Sequence, residues 1–274
     1  MDNTHQTNNK STGMKVVILC GGQGVRLNNS LNFIPKGMAK IGHRPLLWHV
    51  MKIFSQYGFT EFVLALGQNG QMIRDYFLHY DENINDLSIT LGEAKVVYNS
   101  RHQEEKWKIT FVETGEISGT GARLFRCQKY LGNEDFLVTY SDCLADIDIK
   151  KLVEFHKHHG KAATVSGVMP PFRYGEFTME NNTPVAYSNL SRLKSPNGWV
   201  NGGFMVFTPK VFSYLTPYNE SVLEKEVFTQ LVEDKQIGVF EHSGFWQCLD
   251  NDREYQYLNQ LAEKNSEFWL QKND

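Results

Sequence analysis

The sequence lacks long apolar runs and clusters of one charge, and these absences exclude two classes of protein. No stretch approaches the ~20 apolar residues of a membrane-spanning helix, so we expect no membrane partner. The net charge is only −3, and no run of Lys and Arg offers a surface for nucleic acid, so we expect no such partner. The composition is otherwise that of an ordinary globular protein.

The chain also lacks an internal repeat, a dividing linker and a targeting signal. Residues 1–13 are polar throughout and contain no apolar segment of the kind that a signal peptide requires. We therefore predict a disordered tail over 1–13, one folded domain over 14–265 and a C-terminal tail over 266–274.

Cysteine is scarce. The four cysteines, Cys20, Cys127, Cys143 and Cys248, are scattered and form no CxxC pair. This pattern is typical of free thiols in a reducing cytoplasm rather than of a disulfide framework or a zinc site. We therefore predict a cytoplasmic protein with four free thiols, and we interpret Cys143 and Cys248 as small packing residues.

Apolar runs of strand length alternate with helical patterns through most of the chain. The run over 15–20 is unbroken, as in a strand buried on both faces of a parallel sheet, and similar runs occur at 62–66 and 135–140. Pro45 stands where a helix would begin between the first two runs. This alternation predicts an α/β fold with a doubly wound, mostly parallel sheet. Short strands and aromatic residues over 170–207 predict a small antiparallel portion that forms one wall of a cleft.

A glycine-rich segment, LCGGQGVRLNNSLNFIPKGM over 19–38, follows the first predicted strand. It lacks the Gly-Lys-Ser/Thr of a P-loop, and Leu27 stands where the dinucleotide fingerprint requires its third glycine, so an NAD-dependent oxidoreductase is poorly supported. Gly21, Gly22 and Gly24 are costly for a simple turn, because glycine loses the most conformational entropy on folding. The segment is either a phosphate-binding loop or a turn without a ligand, and this cost favours the loop.

Further motifs follow the loop in order along the chain. They are GGxGxRL with PKxM after it, GxxPLLWHVMK at 42–52, TG at 114–115, TGxRL at 120–124, ADxD at 145–148, NGGF at 201–204 and GFWQ at 244–247. With these motifs the chain resembles the sugar-1-phosphate nucleotidyltransferases over residues 14 to 265, and in particular their glucose-1-phosphate cytidylyltransferase branch. The resemblance implies a Rossmann-like fold and an enzyme that joins CTP to a sugar 1-phosphate and releases pyrophosphate. It also implies Mg²⁺ as the cofactor and a homo-oligomer as the assembly.

The chemistry of that family explains the charges in the loop. A sugar phosphate is already anionic, so its attack on the α-phosphate needs orientation and charge neutralisation rather than a general base. The resemblance implies that Arg26 holds the β- and γ-phosphates and that Lys36 neutralises charge between the two reacting phosphates. It further implies a set of nucleotide-binding residues, which are Leu19, Gly21, Gly22, Gly24, Thr120 and Gly121. Arg123 is either a contact to the base or phosphate or a surface residue.

Two aspartates match the metal ligands of the family. Asp142 follows the apolar run at 135–140, where an open α/β sheet places its ligands, and Asp250 lies in the motif FWQCLDND. Two carboxylates together with phosphate oxygens are typical of a Mg²⁺ site. We interpret Asp146 and Asp148 as caps of the next helix.

The acceptor side departs from the family. The resemblance implies a sugar-phosphate pocket over 170–207 that includes Tyr174, Gly175, Arg192 and Asn201. Ser191 stands where the family has a glutamate that binds sugar hydroxyls, and a serine cannot discriminate among polyols as a carboxylate does. We therefore leave open an altered acceptor or nucleotide.

A non-catalytic, nucleotide-sensing paralogue is a second hypothesis. Val25, Ser141 and Ser191 replace a threonine, a glycine and a glutamate of the family and keep this hypothesis open. Retention of the charged residues at the loop and of both aspartates speaks against it.

Three histidines close a predicted helix at EFHKHHG. His156, His158 and His159 lie in its last turn, where cations are favoured by the helix dipole, and we expect all three to be solvated.

Overall fold

The computed structural model describes residues 13–22, 34–93, 95–99, 106–169, 176–180, 183–188, 199–264 and 268–270. The strands in these residues are β1 (Val16–Cys20), β2 (Lys40–Ile41), β3 (Arg44–Pro45), β4 (Glu61–Leu66), β5 (Leu87–Thr90), β6 (Lys95–Tyr98), β7 (Lys108–Glu113), β8 (Phe136–Tyr140), β9 (Cys143–Ala145), β10 (Ala163–Val168), β11 (Glu176–Glu180), β12 (Thr183–Ser188), β13 (Val200–Phe207), β14 (Ile237–His242) and β15 (Trp246–Cys248). The α-helices are α1 (Leu46–Ser55), α2 (Gly70–Leu78), α3 (Tyr80–Ile84), α4 (Thr120–Cys127), α5 (Ile149–His159), α6 (Phe228–Glu233) and α7 (Asp252–Glu263). Short 3-10 turns lie at Lys36–Met38, Gln128–Tyr130, Pro209–Tyr214 and Phe268–Leu270, and a π-helical turn, Leu223–Val227, precedes α6.

A seven-stranded sheet in the order β14-β10-β13-β8-β1-β4-β7 forms the centre of the molecule. Strands β8, β1, β4 and β7 are parallel to one another, and β14 is parallel to β10. Only β13 in this sheet runs antiparallel to its neighbours, β10 and β8. The prediction of a mostly parallel α/β sheet is therefore confirmed.

The segment over 170–207 contributes to two different sheets. Strands β11 and β12 pair with each other as an antiparallel hairpin. Strand β13 instead joins the central sheet, because its last six residues, Gly202–Phe207, are all buried and therefore need cover on both faces. The predicted antiparallel portion is thus continuous with the main sheet at its C-terminal end.

The core consists of two apolar layers, one on each face of the central sheet. The alternating residues of β1 divide between them, with Val16 and Ile18 in one layer and Val17 and Leu19 in the other. The first layer contains α1 and Leu258 of α7, and the second contains Leu124 of α4. This double cover explains why the first strand reads as an unbroken apolar run.

Helix α5 has the ends that its sequence predicts. Asp148 is its N-cap, and its carboxylate accepts from the backbone N–H of Lys151 at 3.0 Å. Gly160 closes the helix at φ 64°, a left-handed conformation that glycine adopts without a Cβ penalty. The cap predicted for Asp146 is wrong, because its carboxylate lies 3.0 Å from Nε2 of His242.

The prediction of four free cysteines is wrong for one pair. Cys143 and Cys248 are joined by a disulfide, whereas Cys20 and Cys127 are free and buried. The cause is the pairing of β9 with β15, which makes Cys143 and Cys248 direct cross-strand partners although 105 residues separate them. Sequence spacing alone does not reveal such a register.

The expectation of three solvated histidines is also wrong in part. His158 is exposed, but His156 is 1% exposed and His159 is half-buried. Both of these rings lie within hydrogen-bond distance of the Thr164 hydroxyl on β10, at 2.8 and 2.7 Å. The side of the helix that faces the sheet therefore continues to its last turn.

None of the helices in the described residues combines the length and apolar character that a membrane span requires.

Candidate active site

The carboxyl ends of the parallel strands meet along one edge of the central sheet, which we call the carboxyl edge. Strands β1, β4 and β7 lead there into Gly21, Gly67 and Thr114, and β8 leads into Ser141–Asp142. Because β13 is antiparallel to β8, its first residues, including Asn201, come to the same edge. Open α/β sheets bind their ligands outside this edge.

Lys36 lies between the two aspartates that the sequence predicts as metal ligands. Its Nζ is 3.1 Å from Oδ2 of Asp142 and 2.7 Å from Oδ1 of Asp250. The backbone N–H of Leu249 donates to the carbonyl of Asp142 at 2.9 Å and fixes the two aspartate segments against each other. The fold thus brings together one predicted catalytic residue and both predicted metal ligands.

The electrostatics of this cluster follow from partial burial and close opposite charges. Burial alone would lower the pKa of Lys36, but the carboxylates of Asp142 and Asp250 outweigh it and raise that pKa, so the amine stays charged. Burial raises the pKa of Asp142, and Lys36 offsets this only in part while Asp250 repels. The site therefore contains two carboxylates but only one ammonium group, so a further positive charge would be favourable there.

Arg123 resolves the alternatives that the sequence leaves open, because it is neither a surface residue nor directed at a ligand. It is 3% exposed, and its guanidinium donates to the carbonyls of Gly21, Leu66 and Gly115 at 2.7, 3.1 and 2.7 Å and to Oγ1 of Thr114 at 2.7 Å. A further bond reaches the carbonyl of Glu116 at 3.1 Å. Arg123 therefore fastens the ends of β1, β4 and β7 to one another.

Gly21 and Gly121 have packing roles beside any contact with a phosphate. A Cβ on Gly21 would lie 2.0 Å from Cζ of Arg123, so only glycine lets this guanidinium approach the loop. A Cβ on Gly121 would lie 2.5 Å from the hydroxyl of Ser221, whose carbonyl accepts from the Gly121 N–H at 3.0 Å. A Cβ on Gly22 would meet no described residue within 4 Å.

A polar chain connects the predicted nucleotide side with the predicted acceptor side. The hydroxyl of Thr120 donates to Oε2 of Glu224 at 2.6 Å, and Tyr140 donates to the other carboxylate oxygen. The Asn201 amide donates to the Tyr140 hydroxyl at 3.2 Å, while its own oxygen accepts from Gly203 N–H at 2.8 Å. Burial and the adjacent Glu224 carboxylate raise the pKa of Tyr140, which keeps its proton. Thr120 and Asn201 are thus held in fixed orientations through Tyr140 and Glu224.

Tyr140 and Glu224 are absent from the residues predicted from the sequence. Tyr140 directly precedes Ser141–Asp142 at the end of a strand, and that position is a signal that could have identified it. Glu224 gives no local signal, since its partners Thr120 and Tyr140 are 104 and 84 residues away. It lies in the π-helical turn, beside the non-helical Lys225, and such turns are frequent at functional sites.

The remaining predicted residues divide into two groups. Leu19 is 6% exposed and packs in the core, so only its backbone can face a nucleotide. The others lie outside the described residues; they are Gly24, Arg26, Tyr174, Gly175, Arg192 and also Ser191.

Comparison with known proteins agrees with this geometry. The family model described as nucleotidyl transferase matches residues 15–255. The chain is 39% identical over 258 residues to a probable glucose-1-phosphate cytidylyltransferase of Bacillus subtilis (strain 168), covering 93% of this chain and 99% of the relative. It is 37% identical to a glucose-1-phosphate cytidylyltransferase of Salmonella typhi, with 93% and 98% covered. The fold matches the crystal structure of HddC from Yersinia pseudotuberculosis with a TM-score of 0.64 at 21% identity, covering 90% of this chain and 98% of that one. The chain therefore belongs to the nucleotidyl transferase family, as its motifs predict.

Proposed function

We propose that the chain transfers the cytidylyl group of CTP to a sugar 1-phosphate, glucose 1-phosphate first, to give a CDP-sugar and pyrophosphate. The observation that supports this proposal most is the cluster of Lys36, Asp142 and Asp250 at the carboxyl edge. The relatives named glucose-1-phosphate cytidylyltransferase, which match 93% of the chain, supply the choice of substrates.

Lys36 is the residue to which we assign charge neutralisation during the transfer. Its side chain is 26% exposed, so the ammonium is held by the aspartates yet can reach a phosphate oxygen outside the sheet edge. The attacking phosphate is anionic and needs no base, so a fixed cation that lowers repulsion between the two phosphates speeds the reaction. Arg26, outside the described residues, is proposed to hold the β- and γ-phosphates.

Asp142 and Asp250 are the residues that would hold a metal ion. Both carboxylates already share one cation, the Lys36 ammonium, so they lie close enough to share a second, and their hard oxygen atoms suit Mg²⁺. When bound, Mg²⁺ would neutralise charge on the phosphates and fix their orientation. In the protein itself, the aspartates keep Lys36 charged and in place.

The acceptor is proposed to contact the start of β13. Among the described residues Asn201 uses one amide hydrogen on Tyr140 and its oxygen on Gly203, and we assign its second amide hydrogen to the acceptor. Tyr174, Gly175 and Arg192, which lie outside the described residues, are proposed to complete the pocket. The cytoplasmic location and the homo-oligomer stay predictions.

The test is pyrophosphate release with Mg²⁺ from CTP, UTP, dTTP and ATP, each paired with a panel of sugar 1-phosphates that includes glucose 1-phosphate. We expect release with CTP and glucose 1-phosphate and much slower release with the other nucleotides. Release with CTP and only a different sugar 1-phosphate would support the proposed reaction but show that the proposed acceptor is wrong. Release only with another nucleotide would show that the proposed nucleotide is wrong.

Measurements of CTP binding distinguish a protein that binds nucleotide without catalysis from an enzyme whose substrates differ from those proposed. Protein that binds CTP by calorimetry but releases no pyrophosphate with any pair would overturn the catalytic proposal in favour of a nucleotide-sensing role.

A further inference from the structure

The disulfide of Cys143 and Cys248 lies against the proposed magnesium site. Cys143 directly follows Asp142, and Cys248 precedes Asp250 by two residues. The antiparallel pairing of β9 with β15 places the two Cα atoms 4.1 Å apart. Asp142 thus lies directly before one of the two cysteine strands, and Asp250 lies just after the other.

The two sulfurs and the Asp142 carboxylate form a set of possible metal ligands. Their ligand atoms all lie within 4.8 Å of one another, and Sγ of Cys143 is 3.5 Å from Oδ1 of Asp142. Cys143 is 3% exposed, while Cys248 and Asp142 are half-buried, so the cluster is protected on one side and open on the other. This set differs from the pair of hard carboxylates because it adds two soft sulfur atoms.

We propose that Cys143, Cys248 and Asp142 bind one Zn²⁺ when the disulfide is reduced. A dithiol reductant supplies two electrons and two protons, so that the S–S bond breaks into two thiols and the reductant becomes a disulfide. Zinc binding then displaces both thiol protons and forms two Zn–S bonds and one Zn–O bond, with water completing the tetrahedron.

The geometry and the ligand chemistry both favour this ion. Two sulfurs on one tetrahedral Zn²⁺ stand about 3.8 Å apart, given Zn–S bonds of ~2.3 Å, and directly paired strand positions can reach that separation by side-chain rotation alone. Thiolates select Zn²⁺ over Mg²⁺, which prefers oxygen ligands. The zinc site shares Asp142 with the proposed magnesium site, so Zn²⁺ would compete with Mg²⁺ for this carboxylate. The state of the thiols therefore decides which cation the carboxyl edge accepts.

Cobalt titration tests the proposal without any measurement of enzymatic activity, so its failure is separate from failure of the proposed function. The full-length protein is reduced with dithiothreitol, desalted without oxygen, and titrated with Co²⁺ and then Zn²⁺. We expect one Co²⁺ per chain, with the strong near-ultraviolet band of thiolate-to-cobalt charge transfer, and loss of this band on addition of Zn²⁺. The oxidised protein should bind Co²⁺ roughly 100-fold more weakly and without this band, because neither Cys143 nor Cys248 is then a thiolate.

Cysteine variants identify the ligands. Cys143→Ser and Cys248→Ser should each keep about half of the band with at least ~10-fold weaker binding, and the double variant should have none. Cys127→Ser is the control, because Cys127 is a free, buried cysteine that lies in α4 and outside the proposed ligand set. The absence of a band in the reduced protein, its survival in the double variant or its loss in Cys127→Ser would each overturn the assignment. Circular dichroism confirms that every variant compared is folded.

Discussion

At the scale of single residues, Lys36 is the position where one charge serves two partners. The substitution Lys36→Met keeps most of the side-chain length but removes the cation between Asp142 and Asp250. We expect kcat to fall roughly 100-fold or more, as when one charge-stabilising group is removed from an active site. The free energy of unfolding should change by no more than about 1 kcal/mol, because the ion pairs are partly solvated. Steady-state pyrophosphate release and urea unfolding measure the two effects.

Lys40 provides the matched control for this prediction. It is an exposed lysine of β2, four residues along the chain, and the substitution Lys40→Met should leave kcat within about twofold. Equal loss of activity in both variants would show that the general positive charge of this region, and not the bridging position of Lys36, matters.

Residue types in the sequence identified only part of this site, and there is a physical reason why the other residues were missed. Lys36, Asp142 and Asp250 are predictable because charged residues in a known motif keep their chemistry wherever the chain folds. Glu224 was not predictable, since its importance comes from contacts with Thr120 and Tyr140 across 104 and 84 residues. The role of such a polar residue depends on the residues that it contacts, and contacts between residues distant in sequence are visible only in the folded structure.

At the scale of elements, Arg123 connects three strands and the glycine loop. It donates five hydrogen bonds to groups at the ends of β1, β4 and β7, and it is 3% exposed. The substitution Arg123→Met fills similar space but removes all five bonds, two of them buried, to the Leu66 carbonyl and the Thr114 hydroxyl. We expect the free energy of unfolding to fall by roughly 2–4 kcal/mol, as for the loss of several buried bonds to a charged donor. Urea unfolding measures the loss.

A second measurement distinguishes loop positioning from stability alone. Because Arg123 holds the carbonyl of Gly21, the variant should also bind CTP at least ~10-fold more weakly under conditions where it is fully folded. Arg253→Met, which removes an exposed arginine from α7, should change neither quantity. Unaltered CTP affinity in folded Arg123→Met would leave Arg123 a purely structural residue.

Elements with a strong apolar period were predictable, and those with a mixed pattern were not. The strand predicted at 62–66 is observed as β4, which begins one residue earlier, and the helix predicted to begin after Pro45 is observed as α1, which begins at Leu46. The hairpin of β5 and β6 gives no such period, because its strands are mostly exposed and show no buried face. The turn Leu223–Val227 before α6 is π-helical, and it carries the Glu224 that contacts Thr120 and Tyr140.

At the scale of the whole molecule, the class of fold was predictable but the pairing of distant segments was not. Alternation of strands and helices is enough to indicate a doubly wound sheet. The place of β13 in the sheet and the pairing of Cys143 with Cys248 depend on strand register, which no local pattern encodes. Such pairings depend on which apolar faces become buried against each other, and this burial is determined by the complete core.

Two buried histidines give the whole fold a dependence on pH. His49 is 2% exposed and His156 is 1% exposed, and burial, which disfavours the charged ring, lowers the pKa of each to about 4 from a usual 6.5. Between these two values the unfolded chain binds a proton at each ring and the folded protein does not. The free energy of unfolding should therefore fall as the pH falls from about 6.5 to about 4, by about 1.4 kcal/mol per pH unit for each histidine. Urea unfolding between pH 7 and pH 5 measures this slope.

The last turn of α5 offers a matched pair of variants that assigns the slope. The substitution His156→Gln should remove about half of it, because the new side chain cannot take up a proton in the unfolded state. His158→Gln, in the same turn but on the exposed side, should leave the slope unchanged whatever it does to stability at pH 7. A flat profile for the natural protein, or the same reduction of slope in both variants, would show that burial of His156 against Thr164 does not control stability in acid.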